Sequence, residues 1–468
     1  MEYKYKVRKA KLLYVLIILI FLIFLGNATY NAKVIKGDAR IDKKSIGMYG
    51  GKENYDLLII SPMEFSDILQ PLLKHKEKHG VRTIIVELEE IYAGKYFEMQ
   101  GKDNAERIKY FIKNAYDKWH IKYVLLVGGD KEIPVRYVNL DDGYYGLPYI
   151  SDLYYADIYN NKGEFEDWDS NGNGIFGEWD GINKDILDLY PDVCIGRLPC
   201  RNREEVSIVV NKIISYEENT HGKNWFRRIV VAGGNTLVDR IFGTDFNEGE
   251  LITEEALKYM KNFSQIKLWV SKGNLRVGTI RREINKGTGF VFLSGHSNSW
   301  IWIAYPTGKY SMWAGLLHRT YWANWNMPTL FNGDRLPVVI NGGCASCQFN
   351  LSKECWGWKF VNKENGGSIA TIGYTSHAYE GIGDQDSDGI PDCIEYKGGY
   401  LNIQFFKNYG EEDIDILGEV WAKSITDYLN KFPIDWSKGV RSDSQKDCQI
   451  VQKWILFGDP SLKLGGYG

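Results

Sequence analysis

The sequence predicts an α/β protein built from two consecutive αβα subdomains with mostly parallel sheets. Strand-like apolar runs alternate with helical patterns of ordinary length, and the alternation restarts near residue 221, as βαβ units around parallel sheets require. Several runs are continuously apolar rather than alternating, which marks strands covered on both faces. At 468 residues, 44% hydrophobic and 14% aromatic, the chain can bury one large or two medium cores, which excludes disordered and fibrous classes. A net charge of -3 from 57 basic and 60 acidic residues leaves no cationic excess for a phosphate backbone, so no nucleic-acid partner is expected.

In chain order, residues 1–28 read as a signal peptide or membrane anchor. Lys4, Lys6, Arg8, Lys9 and Lys11 precede the uncharged run 12–26, and small residues at Gly26, Asn27 and Ala28 offer a cleavage site. The run is short for a membrane span, which needs about 20 residues. Either reading exports the rest, so an extracellular location is expected, with membrane contact only through that segment. Residues 29–54 are polar and aperiodic, a linker or short pro-segment.

The first subdomain, 55–220, should hold strands at 55–61, 81–88 and 123–129 and helices at 64–79 and 104–120. An insertion rich in Tyr and Asp at 140–190 precedes a strand at 192–199 and a helix at 204–219. The second, 221–468, should hold a strand from Arg228, helices at 248–261 and 276–286, a strand at 266–270, and the runs 289–297, 336–347 and 367–375. Helices near 400–409 and 414–429 and the segment WILFGDPSLKLGG end the chain.

Two of these strands carry chemistry. GFVFLSGHS (289–297) ends at His296, and LPVVINGGCASC (336–347) ends at Cys344. Side chains at the C-terminal ends of parallel strands open into the crevice where such sheets bind ligands, so the two are expected side by side. A thiolate beside an imidazolium is the arrangement that acyl transfer requires: the sulfur attacks a carbonyl and the histidine returns a proton to the leaving amine. Small neighbours Gly342, Gly343 and Ala345 let a polypeptide approach, and the N–H groups of Cys344 and Ser297 are candidate oxyanion donors. Packing residues are the plainer reading of a lone Cys or His. Cys344 and Cys347 also form a C-x-x-C pair, open to redox, disulfide or zinc readings with Cys355 nearby, and His318 and His377 are alternative bases. Without Cys344, six cysteines are left, enough for up to three bridges.

Two acidic loops stand apart. Asp167, Asp169, Asn171 and Gly172 are followed by Glu178, and Asp384, Asp386, Asp388 and Gly389 by Glu395. Alternating carboxylates around a glycine turn, closed by an acid at position twelve and a carbonyl at position seven (Asn173 and Ile390), supply the hard oxygens calcium takes. Two structural calcium ions are therefore expected; an acidic turn is the alternative. GGD at 128–130 and AGGN at 232–235 complete no nucleotide-binding fingerprint.

The residues then resemble a family. YVLLVGGDKEIP (123–134), DVCIGRLPC (192–200), SGHS (294–297), LPVVINGGC (336–344) and FGDPSL (457–462), in this order, are similar to segments of the gingipain-type cysteine peptidases, relatives of caspases and legumains. The resemblance implies a caspase-like second subdomain and a thiol endopeptidase acting on polypeptide substrates. Cys344 would be the nucleophile and His296 the general acid and base. The third catalytic position, a carboxylate in gingipains, falls on Asn235, and the acid that reads arginine or lysine falls on Asp245. Gly295, Ser297 and Gly343 would border the substrate, with Ser297 replacing the usual glycine. The immunoglobulin-like domain of some relatives is not expected. Because Asn235 and Ser297 depart from the pattern, a catalytically silent calcium-binding surface protein with the same fold is the competing reading.

Overall fold

The computed structural model describes residues 54–141, 148–236, 247–309, 311–352 and 354–468. The expected signal or anchor, the linker before residue 54, and Asp245 lie outside them. Among the described residues no helix is long and apolar enough to cross a membrane.

The first half runs β1 (Leu57–Ser61), α1 (Ser66–Lys78), β2 (Thr83–Glu87), α2 (Asn104–Trp119), β3 (Tyr123–Val127), β4 (Cys194–Leu198) and α3 (Arg203–Asn219). The helices begin where a side chain takes an orphan N–H: Asp103 accepts from Glu106 for α2, and Asn202 from Glu205 for α3. The left-handed His120, at φ 59°, closes α2.

The second half runs β5 (Arg228–Gly233), α4 (Glu248–Tyr259), β6 (Ser264–Trp269), α5 (Val277–Asn285), β7 (Phe290–Leu293), β8 (His296–Ser297), β9 (Ile301–Ile303), α6 (Met312–His318) and β10 (Tyr321–Ala323). It continues with β11 (Val338–Asn341), α7 (Trp356–Val361), β12 (Ala370–Tyr374), α8 (Lys397–Gly410), α9 (Leu417–Lys431), α10 (Asp443–Lys453) and β13 (Trp454–Phe457). Phe290 and Phe292 join one hydrophobic core while Val291 and Leu293 join another, so β7 feeds cores on both faces of the sheet. That is why its sequence is apolar without alternation.

The two expected sheets are one. Among the described residues ten strands lie in the order β2-β1-β3-β4-β13-β12-β11-β7-β5-β6. β13 is the seam, parallel to β4 and antiparallel to β12. The remaining neighbours are parallel, so the strands of the two halves point in opposite directions. A four-residue WILF run covers two edges that would otherwise be open. The sequence reading also lacked the antiparallel sheet β8-β9-β10 and helix α10, whose elements are too short or too polar to show periodicity.

Candidate active site

β7 and β11 are hydrogen-bonded neighbours in the register Leu293 to Asn341. His296 follows Leu293 by three residues and Cys344 follows Asn341 by three, so equal offsets carry both functional side chains to the same edge. Two glycines make the close approach possible. A Cβ on Gly343 would stand 2.6 Å from Ser297 Oγ and 2.7 Å from Ser297 N, and one on Gly295 would stand 2.8 Å from the Ile303 carbonyl. Across this contact the Ser297 hydroxyl donates to the Cys344 carbonyl at 2.6 Å. The turn carrying the thiol is held at both sides. Gly343 N–H donates to Asn341 Oδ1 at 2.9 Å, and Ala345, at φ +50°, donates to the Ser376 carbonyl at 2.7 Å.

His296 Nε2 lies 2.6 Å from the Thr236 carbonyl. A carbonyl only accepts, so Nε2 carries the proton and Nδ1 presents its lone pair. The ring rests on Tyr305 with centroids 4.7 Å apart. Here the expectation for the third position is corrected. The acceptor on the imidazole is the main chain of Thr236, one residue beyond Asn235. Asn235 itself is 1% exposed and pairs through its backbone with Tyr305, its N–H donating to the Tyr305 carbonyl at 3.1 Å and its carbonyl accepting at 3.1 Å. It thereby fixes the ring that backs the imidazole.

Burial acts against the charged forms expected for the pair. Burial pushes the Cys344 thiol up, with the Ala378 N–H at 3.4 Å working against it. Burial pushes His296 below the usual imidazole range, the Thr236 carbonyl opposing. Both shifts favour uncharged forms.

Two carboxyls lie behind Thr236. Glu248 Oε2 accepts from Thr236 N–H at 2.9 Å and from its hydroxyl at 3.1 Å, and Glu380 Oε2 is 3.4 Å from the same hydroxyl. Burial first, then the charge of Glu248, raises Glu380 to about 8. The sequence reading missed both, since an isolated acid has no spacing to betray it. Glu380 lines a cavity of about 670 Å³ beside Ala378, whose other walls include Tyr379, Asp386 and Lys397. His377 lines it too, while His318 is exposed at the end of α6. All seven cysteines are free thiols, so neither the disulfide reading of Cys344 and Cys347 nor any of the bridges open to the other six is realised. Among the described residues no cluster of three metal-ligating side chains includes Cys347 or Cys355.

The two acidic loops differ. Asp384, Asp386 and Asp388 bring carboxylate oxygens within 4.8 Å of one another. Asp384 accepts from the N–H of Asp388 at 3.2 Å and of Gly389 at 3.1 Å, and Gly389 turns at φ +88°. Glu395 Oε2 is buried without a donor. Oxygen donors gathered around a glycine turn fit calcium, with the Ile390 carbonyl at position seven.

The first loop departs from its expected register. Gly174 N–H, not Gly172, donates to Asp169 at 3.1 Å, as Gly389 does to Asp384, and Ile175 N–H donates to Asn173 Oδ1 at 2.8 Å, as Ile390 does to Asp388. The turn therefore begins at Asp169, two residues later, and its twelfth position is Asp180. Asp167 lies outside it and, with Asp169, pairs with Lys102 at 3.3 and 3.0 Å. Glu178 Oε2 accepts from the amides of Asn171 at 3.2 Å and Asn173 at 2.7 Å.

Comparison with known proteins agrees with this architecture. Residues 51–465 match the model of Peptidase family C25. Gingipain R2 of Porphyromonas gingivalis strain W83 is 22% identical over 421 residues, 88% of this chain and 46% of the relative. Gingipain R1 of the same species is 22% identical over 88% of this chain and 34% of its own length, so the chain spans less than half of these curated relatives. Its fold superposes on the crystal structure of the Arg-specific cysteine proteinase gingipain R with a TM-score of 0.62, at 19% identity over 88% of this chain and 79% of that one. The family model covers nearly the whole described chain, and the chain belongs to peptidase family C25.

Proposed function

We propose that this chain is an exported cysteine endopeptidase in which Cys344 and His296 hydrolyse peptide bonds, preferentially after basic residues. The observation that carries the reading is the shared register of β7 and β11, which sets the thiol and a tautomer-fixed imidazole at one edge. His296 Nδ1 takes the Cys344 proton as the sulfur bonds to the scissile carbonyl carbon. The oxygen, now anionic, is held by the N–H groups of Cys344 and Ser297. The imidazolium gives its proton to the leaving amine, the C–N bond breaks and a thioester is left. Water, deprotonated by the same Nδ1, then releases the acid and restores the thiol. The Thr236 carbonyl stabilises the transient imidazolium, the role an amide or carboxylate has in other Cys-His sites.

Specificity is assigned to acid. Asp245 is proposed at the base of the primary pocket, and Glu380 supports the preference from the cavity beside Cys344, where a cationic side chain would draw its carboxyl into the ionised form. Calcium is proposed at Asp384, Asp386, Asp388, Ile390 and Glu395, bracing a loop whose Asp386 forms part of that cavity wall. At the first loop it is proposed in the shifted register, with Asp169, Asn171, Asn173 and Asp180. Export rests on the basic flank and apolar run of residues 1–28.

The test is cleavage of short fluorogenic peptides ending in Arg, Lys, Asn, Asp or Leu, with calcium and reductant, by the chain and by its Cys344→Ala variant. Cleavage after Arg or Lys that disappears in the variant supports the reading. A folded, calcium-loaded chain without thiol-dependent cleavage would favour the silent surface protein.

A further inference from the structure

A second cluster of ligand-type side chains lies in the first half, at the ends of two helices that hold no residue of the candidate active site. His75 and His79 are one turn apart at the end of α1, with ring centroids 4.8 Å apart. Glu218, in the last turn of α3, faces them, its Oε1 3.7 Å from His75 Nδ1. One donor atom from each of the three lies within 4.8 Å of the others.

The orientation of the rings is what a cation needs. His75 Nε2 lies 2.9 Å from Glu217 Oε2. The carboxylate accepts, so Nε2 carries the proton and Nδ1 turns its lone pair toward His79 and Glu218. A carboxylate behind an imidazole is the usual support of a metal-binding histidine. His79 Nε2 is buried and makes no hydrogen bond, and its ring is fixed flat on Tyr467, 3.9 Å between centroids at 4°. Tyr467 is tied to the end of α3 by its N–H on the Glu217 carbonyl at 2.9 Å.

We propose that His75 Nδ1, His79 Nε2 and Glu218 Oε1 form a site for one divalent transition cation of the zinc class, joining α1, α3 and the C-terminal turn. Two imidazoles and one carboxylate suit such an ion and suit calcium poorly. Bonds of about 2.0–2.1 Å place tetrahedral ligands about 3.3 Å apart, so the three close in by about 1.5 Å at most. Glu218 has that freedom, with its side chain 41% exposed, and its present partner Lys78 is 64% exposed and free to swing away. Water takes the fourth position.

The test is titration of the full chain with Co²⁺ and, in competition, Zn²⁺, read by visible absorption and by thermal unfolding. Expected are one equivalent of Co²⁺ with d–d bands and no thiolate charge-transfer band, and a rise in Tm with Zn²⁺. His79→Gln and Glu218→Gln should each weaken binding at least about tenfold. Lys78→Met should tighten it. Because Glu218 is largely in solvent, its variant keeps the fold and separates loss of a ligand from unfolding. Absence of saturable binding, a charge-transfer band from one of the cysteines, or affinity unchanged in both ligand variants would each overturn the proposal, the last by showing an adventitious ion only.

Discussion

Two sets of buried polar groups behave in opposite ways. Around Arg197 and Lys76 they are matched. Arg197 is fully buried and grips Asp152 with two bonds of 2.6 and 2.8 Å, and Lys76 lies between Glu217 at 2.8 Å and Asp459 at 2.7 Å. Around Cys344 and His296 burial shifts them instead. Two carboxyls share Thr236, and burial pushes Glu380 and the thiol up and the imidazole down. Matched charges hold the fold in place, because each partner meets the other's desolvation cost. Shifted groups near a cleft have protonation states that a substrate can change, which marks the set at Cys344, His296 and Glu380 as the functional one. The parallel orientation of the strands within each half reinforces this: His296, Cys344 and Thr236 all emerge at the C-terminal edge of β7, β11 and β5.

The largest effect expected from this contrast is on stability. Asp152→Ala leaves Arg197 buried and alone, and should cost about 3–5 kcal/mol in chemical denaturation. Glu380→Gln, in the shifted set, should do the reverse at alkaline pH. A carboxyl raised from 4.5 to about 8 contributes stability that is full below pH 4.5 and is lost as pH rises through 8. The variant should therefore lose less stability than the parent between those values. A parallel decline in the two proteins would mean that Glu380 is matched after all.

The same variant should lower kcat/KM for Arg and Lys substrates about tenfold relative to Leu, the scale of one charged hydrogen bond. The smallest effect concerns the loops. Calcium should raise Tm by a few degrees, and Asp386→Ala should remove most of that rise. Asp167→Asn should leave it nearly unchanged, since Asp167 is outside the turn, and a loss equal to that of Asp386→Ala would restore the register read from the sequence.

How much was legible follows from the same physics. Continuous apolar runs such as 290–293 and 338–341 announce strands covered on both faces, and the reactive side chain at the end of each is visible from its glycines. The joining strand 454–457 was legible as an apolar run but not as a seam, because its pairing depends on two strands distant in sequence. The partner of His296 could not be read at all: it is a main-chain carbonyl, and every residue has one. Asn235 lies one residue before the carbonyl that meets His296 Nε2. In the first acidic loop the series Asp167, Asp169, Asn171, Asn173 permits two registers, and only backbone hydrogen bonds choose between them.

The central claim is that Cys344, alone among seven cysteines, is made reactive by His296. The most direct measurement is labelling by a peptidyl acyloxymethyl ketone with a terminal arginine, located by peptide mass spectrometry and timed in the parent and in His296→Ala. The account predicts one adduct, on Cys344, with a rate that rises through a limb below pH 6.5 as the imidazole becomes neutral, and that falls at least about a hundredfold in the variant. An adduct on Cys347 or another thiol, or equal rates in the two proteins, would contradict it.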